Sequence, residues 1–363
     1  MPEVNSTVGR RALSEPTVVM YEDRPRDLVG LQLAVASLLR HSPGCHVRVS
    51  VPGAPSLLVD WLLDHPSVEV VPADDLAGSG WNIKPELLRR TLRAGHESVC
   101  WLDSDMLVGG DLREALVSRA PSTLMVTDDF WYARERRTAA RTLAWGLVPG
   151  RVPGCAVNTG LVRVTGDHLP LLDAWQALLE DPRYLHAQSQ PYADRPLHLL
   201  GDQEVLSALL GSRPWEHIAL SWLRRGIDVA QCFGSAGFSP RERLSAARVA
   251  HRPLLIHAMG PKPWAVLRQP PQPSRTARRE RAHMQLSTYT ALAGGYDGEL
   301  GHALDWTRLD LVAPLVVRAA RTLDPALREL PLAVPEATIW QARRFAGSLR
   351  RALKRRVPGR DGG

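Results

Sequence analysis

The run Ser98-Val-Cys-Trp-Leu102 is uncharged and of strand length, and it passes directly into Asp103-Ser104-Asp105. A short, continuous apolar run of this kind marks a strand covered on both faces, which confines the chain to a sheet with helices packed on its two sides. The residues before it supply those partners. Thr17-Val-Val-Met-Tyr21 is β-branched and uncharged, Leu28 to Leu39 is apolar-rich and stopped by His41-Ser-Pro-Gly44, and His46-Val-Arg-Val-Ser-Val51 alternates as a second strand. A helix around Trp61 and Leu62 leads to a strand over Val68 to Val71, and a further helix runs from about Pro85 to Gly95. This alternation predicts a parallel sheet with helices on its faces, whose ligands bind at the carboxyl ends of the strands. Asp103 and Asp105 therefore stand on the ligand-binding edge.

Downstream, Ser122 to Thr127 reads as a strand ending in Asp128-Asp129, and Val157-Asn-Thr-Gly-Leu-Val162 as another. Helices are expected over Leu169 to Leu179 and Gln203 to Leu210. A last apolar run, Pro253-Leu-Leu-Ile-His257, opens into Ala-Met-Gly-Pro-Lys-Pro-Trp264, and Gln269-Pro-Pro-Gln-Pro-Ser274 has the proline density of a linker. The expected plan is a disordered start over 1–16, a catalytic domain over 17–268, a linker and helical appendage over 269–340, and a basic tail over 341–363.

The net charge of +7 belongs to that tail. Residues 341–363 hold eight of the 45 Lys and Arg residues and one of the 38 acidic ones, so 37 of each sign remain in residues 1–340. A formally neutral body argues against a nucleic-acid-binding surface. The four cysteines, Cys45, Cys100, Cys155 and Cys232, are scattered without a CxxC pair, and each is expected to be a small buried hydrophobe rather than part of a disulfide framework or zinc site. The first twenty residues lack the apolar core of a signal peptide and no run is long enough to span a bilayer, so a cytoplasmic protein is expected.

Two carboxylates where a strand meets a loop are hard oxygen donors suited to Mg²⁺ or Mn²⁺ bound together with phosphate. A phosphatase of the haloacid dehalogenase type also begins with strand-DxD, so the later residues decide between readings. His257 ends an apolar strand and is followed by Gly260, Lys262 and Trp264. An imidazole beside two carboxylates shifts the ion toward Mn²⁺, glycine lets backbone approach a phosphate, and lysine supplies a point charge to a diphosphate.

With these residues in order, the chain resembles the GT-A-fold glycosyltransferases of family eight, the class of glycogenin and the bacterial lipopolysaccharide galactosyl- and glucosyltransferases. The resemblance covers about residues 17–268. It is carried by Lys84 in Trp-Asn-Ile-Lys-Pro, by Trp101-Leu-Asp-Ser-Asp-Met-Leu-Val108, by Asn158-Thr-Gly160, by Asp202-Gln-Glu-Val-Leu206 and by the segment from His257 to Trp264. It implies an α/β fold, with a Rossmann-like, nucleotide-sugar-binding, mixed but mostly parallel sheet, flanking helices and a C-terminal helical appendage. It also implies a metal held by Asp103, Asp105 and His257, with Mn²⁺ or Mg²⁺ and a nucleotide-sugar donor, UDP-linked, as cofactors. Ser104 would lie against the donor, Gly260 and Lys262 would hold the diphosphate, Lys84 would approach the phosphates or sugar, and Asn158 would shape the sugar pocket. Asp202 would bind sugar hydroxyls and Gln203 would lie beneath the anomeric carbon, in a reaction that retains configuration. Tyr21 and Asp23 would receive the nucleoside. The sequence departs from the family pattern in having only Pro261 between Gly260 and Lys262, and in carrying Glu204 after Asp-Gln.

Asp128 and Asp129 either orient a hydroxyl of the acceptor or donor or cap a helix over Phe130-Trp-Tyr132; Trp131 and Tyr132 are candidates for an aromatic face under an acceptor or for core. The acceptor expected is a carbohydrate, glycolipid or small molecule. From Glu336 to Val357, Ile339, Ala342, Ala346, Leu349 and Leu353 recur at helical spacing among arginines, a basic amphipathic helix suited either to anionic membrane at the inner face or to packing on the body. A non-catalytic sugar- or nucleotide-binding protein, a DxD phosphatase and a sugar nucleotidyltransferase are the alternative readings.

Overall fold

The computed structural model describes residues 15–129, 138–231, 253–270 and 272–308, with scattered positions between 319 and 346. These fall into two compact units, one over the described parts of 1–104 and 111–223, the other over 105–110 and from 224 onward.

The strands are β1 (Thr17–Tyr21), β2 (His46–Ser50), β3 (Val68–Val70), β4 (Ser98–Leu102), β5 (Met106–Val108), β6 (Thr123–Asp128), β7 (Val157–Thr165), β8 (Ala219–Leu223), β9 (Val229–Gln231) and β10 (Leu255–His257). The first unit carries a seven-stranded sheet in the order β3-β2-β1-β4-β7-β6-β8. β1 pairs in parallel with β2 and β4, β2 with β3, and β6 with β8; β7 runs antiparallel to both β4 and β6. The sheet is thus mixed and mostly parallel, and its one reversed strand is β7, which the simple alternation of strands and helices does not announce. Every residue of β1 and β4 is buried, as their unbroken apolar runs require.

Helices α1 (Leu28–His41), α2 (Ser56–Leu63), α3 (Lys84–Arg93), α4 (Leu112–Val117), α5 (Thr138–Ala144), α6 (Leu169–Leu179), α7 (Pro182–Gln188) and α8 (Asp202–Leu210) belong to the same unit. α3 shows how the sequence divides a helix: Pro85 sits in its first turn, where a missing N–H costs nothing, Leu87, Leu88, Thr91 and Leu92 face inward, and Arg89 and Arg90 pair with Glu86 on the outer side. Leu88 and the fully buried Trp175 of α6 join Trp101, Val162 and Leu206 in one core. Arg163 of β7 is also fully buried, and it is tolerated because it donates to Ser98 Oγ at 3.1 Å and to the carbonyl oxygens of Ala120 and Thr123 at 3.0 and 2.9 Å.

In the second unit β10 runs antiparallel to β5, with His257 opposite Met106, and parallel to β9, with His257 opposite Gln231. The turn after β5 needs glycine, since a Cβ on Gly109 would stand 2.4 Å from the carbonyl oxygen of Pro253. α9 (Pro263–Leu267), α10 (Arg275–Leu286), α11 (Thr288–Ala293) and α12 (Asp297–Leu300) follow. Trp264 packs on Tyr289 and Trp306, ring centroids 5.8 and 6.2 Å apart. Of the 336–357 span only Thr338, Ile339, Ala342 and Ala346 are described, all exposed; its arginines lie outside the described residues, as do Cys232, Trp131 and Tyr132. Cys45 and Cys100 are buried as expected, whereas Cys155 is half-exposed. Among the described residues no helix is long and apolar enough to cross a membrane.

His283 of α10 is 2% exposed, and burial, assisted by Arg279, pushes its imidazole down to about 4. Between that value and the ordinary 6.5 the unfolded chain binds the extra proton and the folded one does not, so stability grows as pH rises through this window and is lost as pH falls through it. Denaturant titrations from pH 7 to pH 4 are expected to show a loss of at most about 3 kcal/mol attributable to this residue, absent in His283→Gln.

Candidate functional site

The carboxyl end of β4 is organised around one buried cation. Lys84, the first residue of α3, is 3% exposed and lies with Nζ 3.0 Å from Asp103 Oδ1 and 3.3 Å from Asp202 Oδ2. It also donates to the Thr159 hydroxyl at 3.0 Å and to the Thr159 carbonyl oxygen at 3.2 Å. Asp103 accepts a further bond from Trp101 Nε1 at 2.7 Å, and Asp202 one from Thr159 Oγ1 at 2.6 Å. Burial disfavours the ammonium, but the carboxylates of Asp103 and Asp202 outweigh it and raise its proton affinity, so Lys84 stays charged. Burial also raises the Asp202 carboxyl, against the pull of Lys84 and Thr159.

Two local devices bring these groups together. The pairing of β6 with β7 is irregular: Val126 faces Val162, yet the next residue, Thr127, faces Asn158. The bulge re-aims Asn158 and Thr159. Asn158 Oδ1 accepts from Gly160 N at 3.0 Å and from Thr127 Oγ1 at 3.1 Å, which spans the irregular stretch, while its Nδ2 donates to Gln203 Oε1 at 3.4 Å. The second device is the start of α8, where Asp202, Gln203 and Glu204 occupy the first turn, a favourable place for acids. Gln203 Nε2 donates to Asp129 Oδ2 at 3.3 Å, and Trp175 Nε1 fixes the Asp202 carbonyl at 3.1 Å. Behind them Glu204 is paired with Arg141, both 1% exposed.

Lys84, Asp103, Asn158, Asp202, Gln203 and Asp129 are therefore brought into one connected network. Ser104 is tied elsewhere: its hydroxyl donates to Glu22 Oε2 at 2.6 Å, and Glu22 is 2% exposed and clasped by Arg24 at 2.8 Å. Glu22 pins the middle of the Asp-Ser-Asp turn to the end of the neighbouring strand β1. It escaped sequence reading because its role depends on which strands are adjacent; Thr159, Arg141 and Thr127 escaped for the same reason. At the ends of β1, β2 and β3 lies a groove of about 820 Å³, lined among others by Asp23, Arg24, Arg26, Gly53, Asp74 and Gly78. Asp23 bonds Gly78 N at 2.7 Å across it. Tyr21 is 6% exposed, its ring in the core and its hydroxyl donating to Asp23 Oδ2 at 3.2 Å, so it supports the groove from below.

The boundary between the two units falls inside the Asp-Ser-Asp turn, and Asp105 belongs to the second. There Asp105 Oδ1 lies 3.2 Å from His257 Nε2, and the other oxygen is held by Lys262. Asp105 and His257 are 8% and 4% exposed. Burial opposes ionisation of Asp105, but Lys262 and His257 prevail and hold its carboxyl well below the usual range. The backbone turns sharply at Gly260, whose φ of +74° is one that L side chains rarely adopt, and this lets Lys262 Nζ come back to the carbonyl oxygen of Ala258 at 3.0 Å. A buried carboxylate facing an imidazole nitrogen is a donor pair that fits a divalent ion of the Mn²⁺ or Mg²⁺ kind.

No family model matches the chain, and no curated protein matches it. Among solved structures it is similar to the bifunctional glycosyltransferase WbbM, at 15% identity and a TM-score of 0.46 over 69% of this chain and 47% of that one. It is similar to galactosyltransferase LgtC in complex with donor and acceptor sugar analogues, at 16% identity and 0.46 over 77% and 95%. It is similar also to mouse xyloside xylosyltransferase 1, at 13% identity and 0.44 over 68% and 97%. All three are glycosyltransferases. The chain spans less than half the length of WbbM.

Removing the Lys84 ammonium leaves two carboxylates without their shared counter-charge. Lys84→Met is expected to cost about 3–5 kcal/mol in urea unfolding, and Lys84→Met with Asp202→Asn to recover part of that loss. A single-variant loss below about 1 kcal/mol would mean that the pair carries no such burden.

Proposed function

We propose that the chain is a metal-dependent glycosyltransferase that moves a hexose from a nucleotide-sugar, UDP-linked, to an acceptor hydroxyl with retention of configuration. The observation that carries this reading is the Lys84 cluster with its neighbours: Asp103, Asp202, Asn158, Gln203 and Asp129 converge by hydrogen bonds and ion pairs at the carboxyl ends of the strands. That edge is where sheets of this kind take their ligands. The groove beside Asp23 has room for a nucleoside, and its acid and backbone N–H groups suit a ribose.

In this reading Asp103, Asp105 and His257 hold the ion, the first lying two residues before the second in the chain and the last two 3.2 Å apart. When bound, the ion supplies a Lewis acid that offsets charge on the departing diphosphate. Lys262 adds a cation to the same group and Gly260 a backbone that carries no side chain. Asp202 and Asn158 take the sugar hydroxyls, and the Gln203 carbonyl dipole faces the positive charge that grows at the anomeric carbon. Asp202 is already committed to Lys84 and Thr159, which leaves it poorly placed as a covalent nucleophile and favours attack by the acceptor from the same face as departure. Asp129, held against Gln203, is the group to orient the acceptor hydroxyl. The basic amphipathic helix expected from the sequence over 336–357 would suit a peripheral contact with anionic lipid at the inner face of a membrane, where a glycolipid acceptor would be met.

Nucleotide release from a panel of UDP-, GDP- and dTDP-sugars, with Mn²⁺, Mg²⁺ or chelator, tests the class without a known acceptor. Metal-dependent release from one donor, reduced on the order of 100-fold or more in Asp105→Ala, is the expected result. No release from any donor and no metal-dependent nucleotide binding would sink the reading and favour a binding protein. For the tail, the full chain should float with anionic vesicles and a chain ending at Val334 should not; equal behaviour would refute the membrane contact.

A further inference from the structure

The opposite edge of the large sheet carries a second group of metal-ligating side chains. His46 is the first residue of β2, Glu69 lies in β3, and His96 stands two residues before β4. Their ligand atoms all lie within 4.8 Å of one another. His46 Nε2 is 3.1 Å from Glu69 Oε2, and the two imidazoles stack with centroids 5.6 Å apart and planes 10° from parallel. This edge is separated from Asp103 by the length of the five-residue strand β4, roughly 15 Å.

We propose that His46, His96 and Glu69 form a binding site for a zinc-class divalent cation, distinct from the Asp103–Asp105–His257 set. Two imidazoles and one carboxylate are the donor set that borderline ions such as Zn²⁺ select over Mg²⁺, with the open side left to water. The outer contacts prepare the ligands. Thr17 Oγ1 sits 2.9 Å from His96 Nδ1, which holds the ring and leaves Nε2 to the ion, and Arg48 Nε braces Glu69 Oε2 at 3.1 Å. β1 pairs with both β2 and β4, and β2 with β3, so an ion here would tie together four neighbouring strands at their amino side.

The test uses the full chain carrying Asp105→Asn, which silences the other divalent site, titrated calorimetrically with ZnCl₂. One equivalent is expected to bind with micromolar affinity and to raise the thermal midpoint. His46→Ala and His96→Ala should each weaken binding by about 10- to 100-fold and remove the thermal shift. Circular dichroism reports whether these variants fold, and His96→Gln, which keeps a polar partner for Thr17, replaces His96→Ala if that one does not. Zinc affinity unchanged within about threefold in both imidazole variants, or no zinc bound at about 1 mM, overturns the proposal.

Discussion

A buried ammonium shared by two carboxylates is costly to assemble, because Lys84 and Asp202 leave water almost wholly and Asp103 in part, and it is retained only where the geometry returns most of that cost. Lys84 meets the condition by drawing its partners from separate elements: Asp103 from the end of β4, Asp202 from the start of α8, and Thr159 from the irregular part of β7. The first turn of α3, the end of β4, the β7 bulge and the first turn of α8 are thereby fixed relative to one another by a single side chain. Trp101 and Trp175 add to it, giving their indole N–H groups to the Asp103 carboxylate and to the Asp202 carbonyl oxygen. The polar wall is therefore set before any ligand arrives, which is the condition under which fixed dipoles act on a developing charge most strongly.

β1 and β4 were legible because burial on both faces demands uncharged, apolar-rich runs, which Thr17 to Tyr21 and Ser98 to Leu102 supply. The helices over 84–93, 169–179 and 202–210 were legible from their periodicity to within about two residues. β7 was legible as a strand over Val157 to Val162, but its reversal was not, since strand direction leaves no mark in a nine-residue run that is buried throughout. Nor were β5, β8 and β9: two of them are only three residues long, and β8 carries exposed and half-buried positions that mimic a loop.

Of the site, the residues whose chemistry is conspicuous were legible: paired aspartates, a lysine at a helix start, and an Asp-Gln pair. Thr159, Glu22 and Arg141 were silent in sequence because a threonine, glutamate or arginine acquires meaning only from its neighbour in space. Glu22 is the clearest case, fastening Ser104 to β1 across eighty residues of chain. The aspartates at 103 and 105, which look like one motif, are divided by the boundary between compact units, and their ion-pair partners come from different parts of the sequence: Lys84 for one, His257 and Lys262 for the other.

The strand Met106–Val108 has a further consequence. It is encoded in the midst of the first unit but pairs with Leu255–His257, about 150 residues later. During synthesis this strand must wait, apolar and without its partner β10, while the strands of the large sheet are already emerging. A polypeptide beginning at residue 224 would lack the β5 edge altogether, and one halted at 223 would leave it bare. The second unit is thus not a separable module in the genetic sense: no single cut liberates it whole, and any rearrangement that moved it to another protein would have to carry along six residues from elsewhere in the chain.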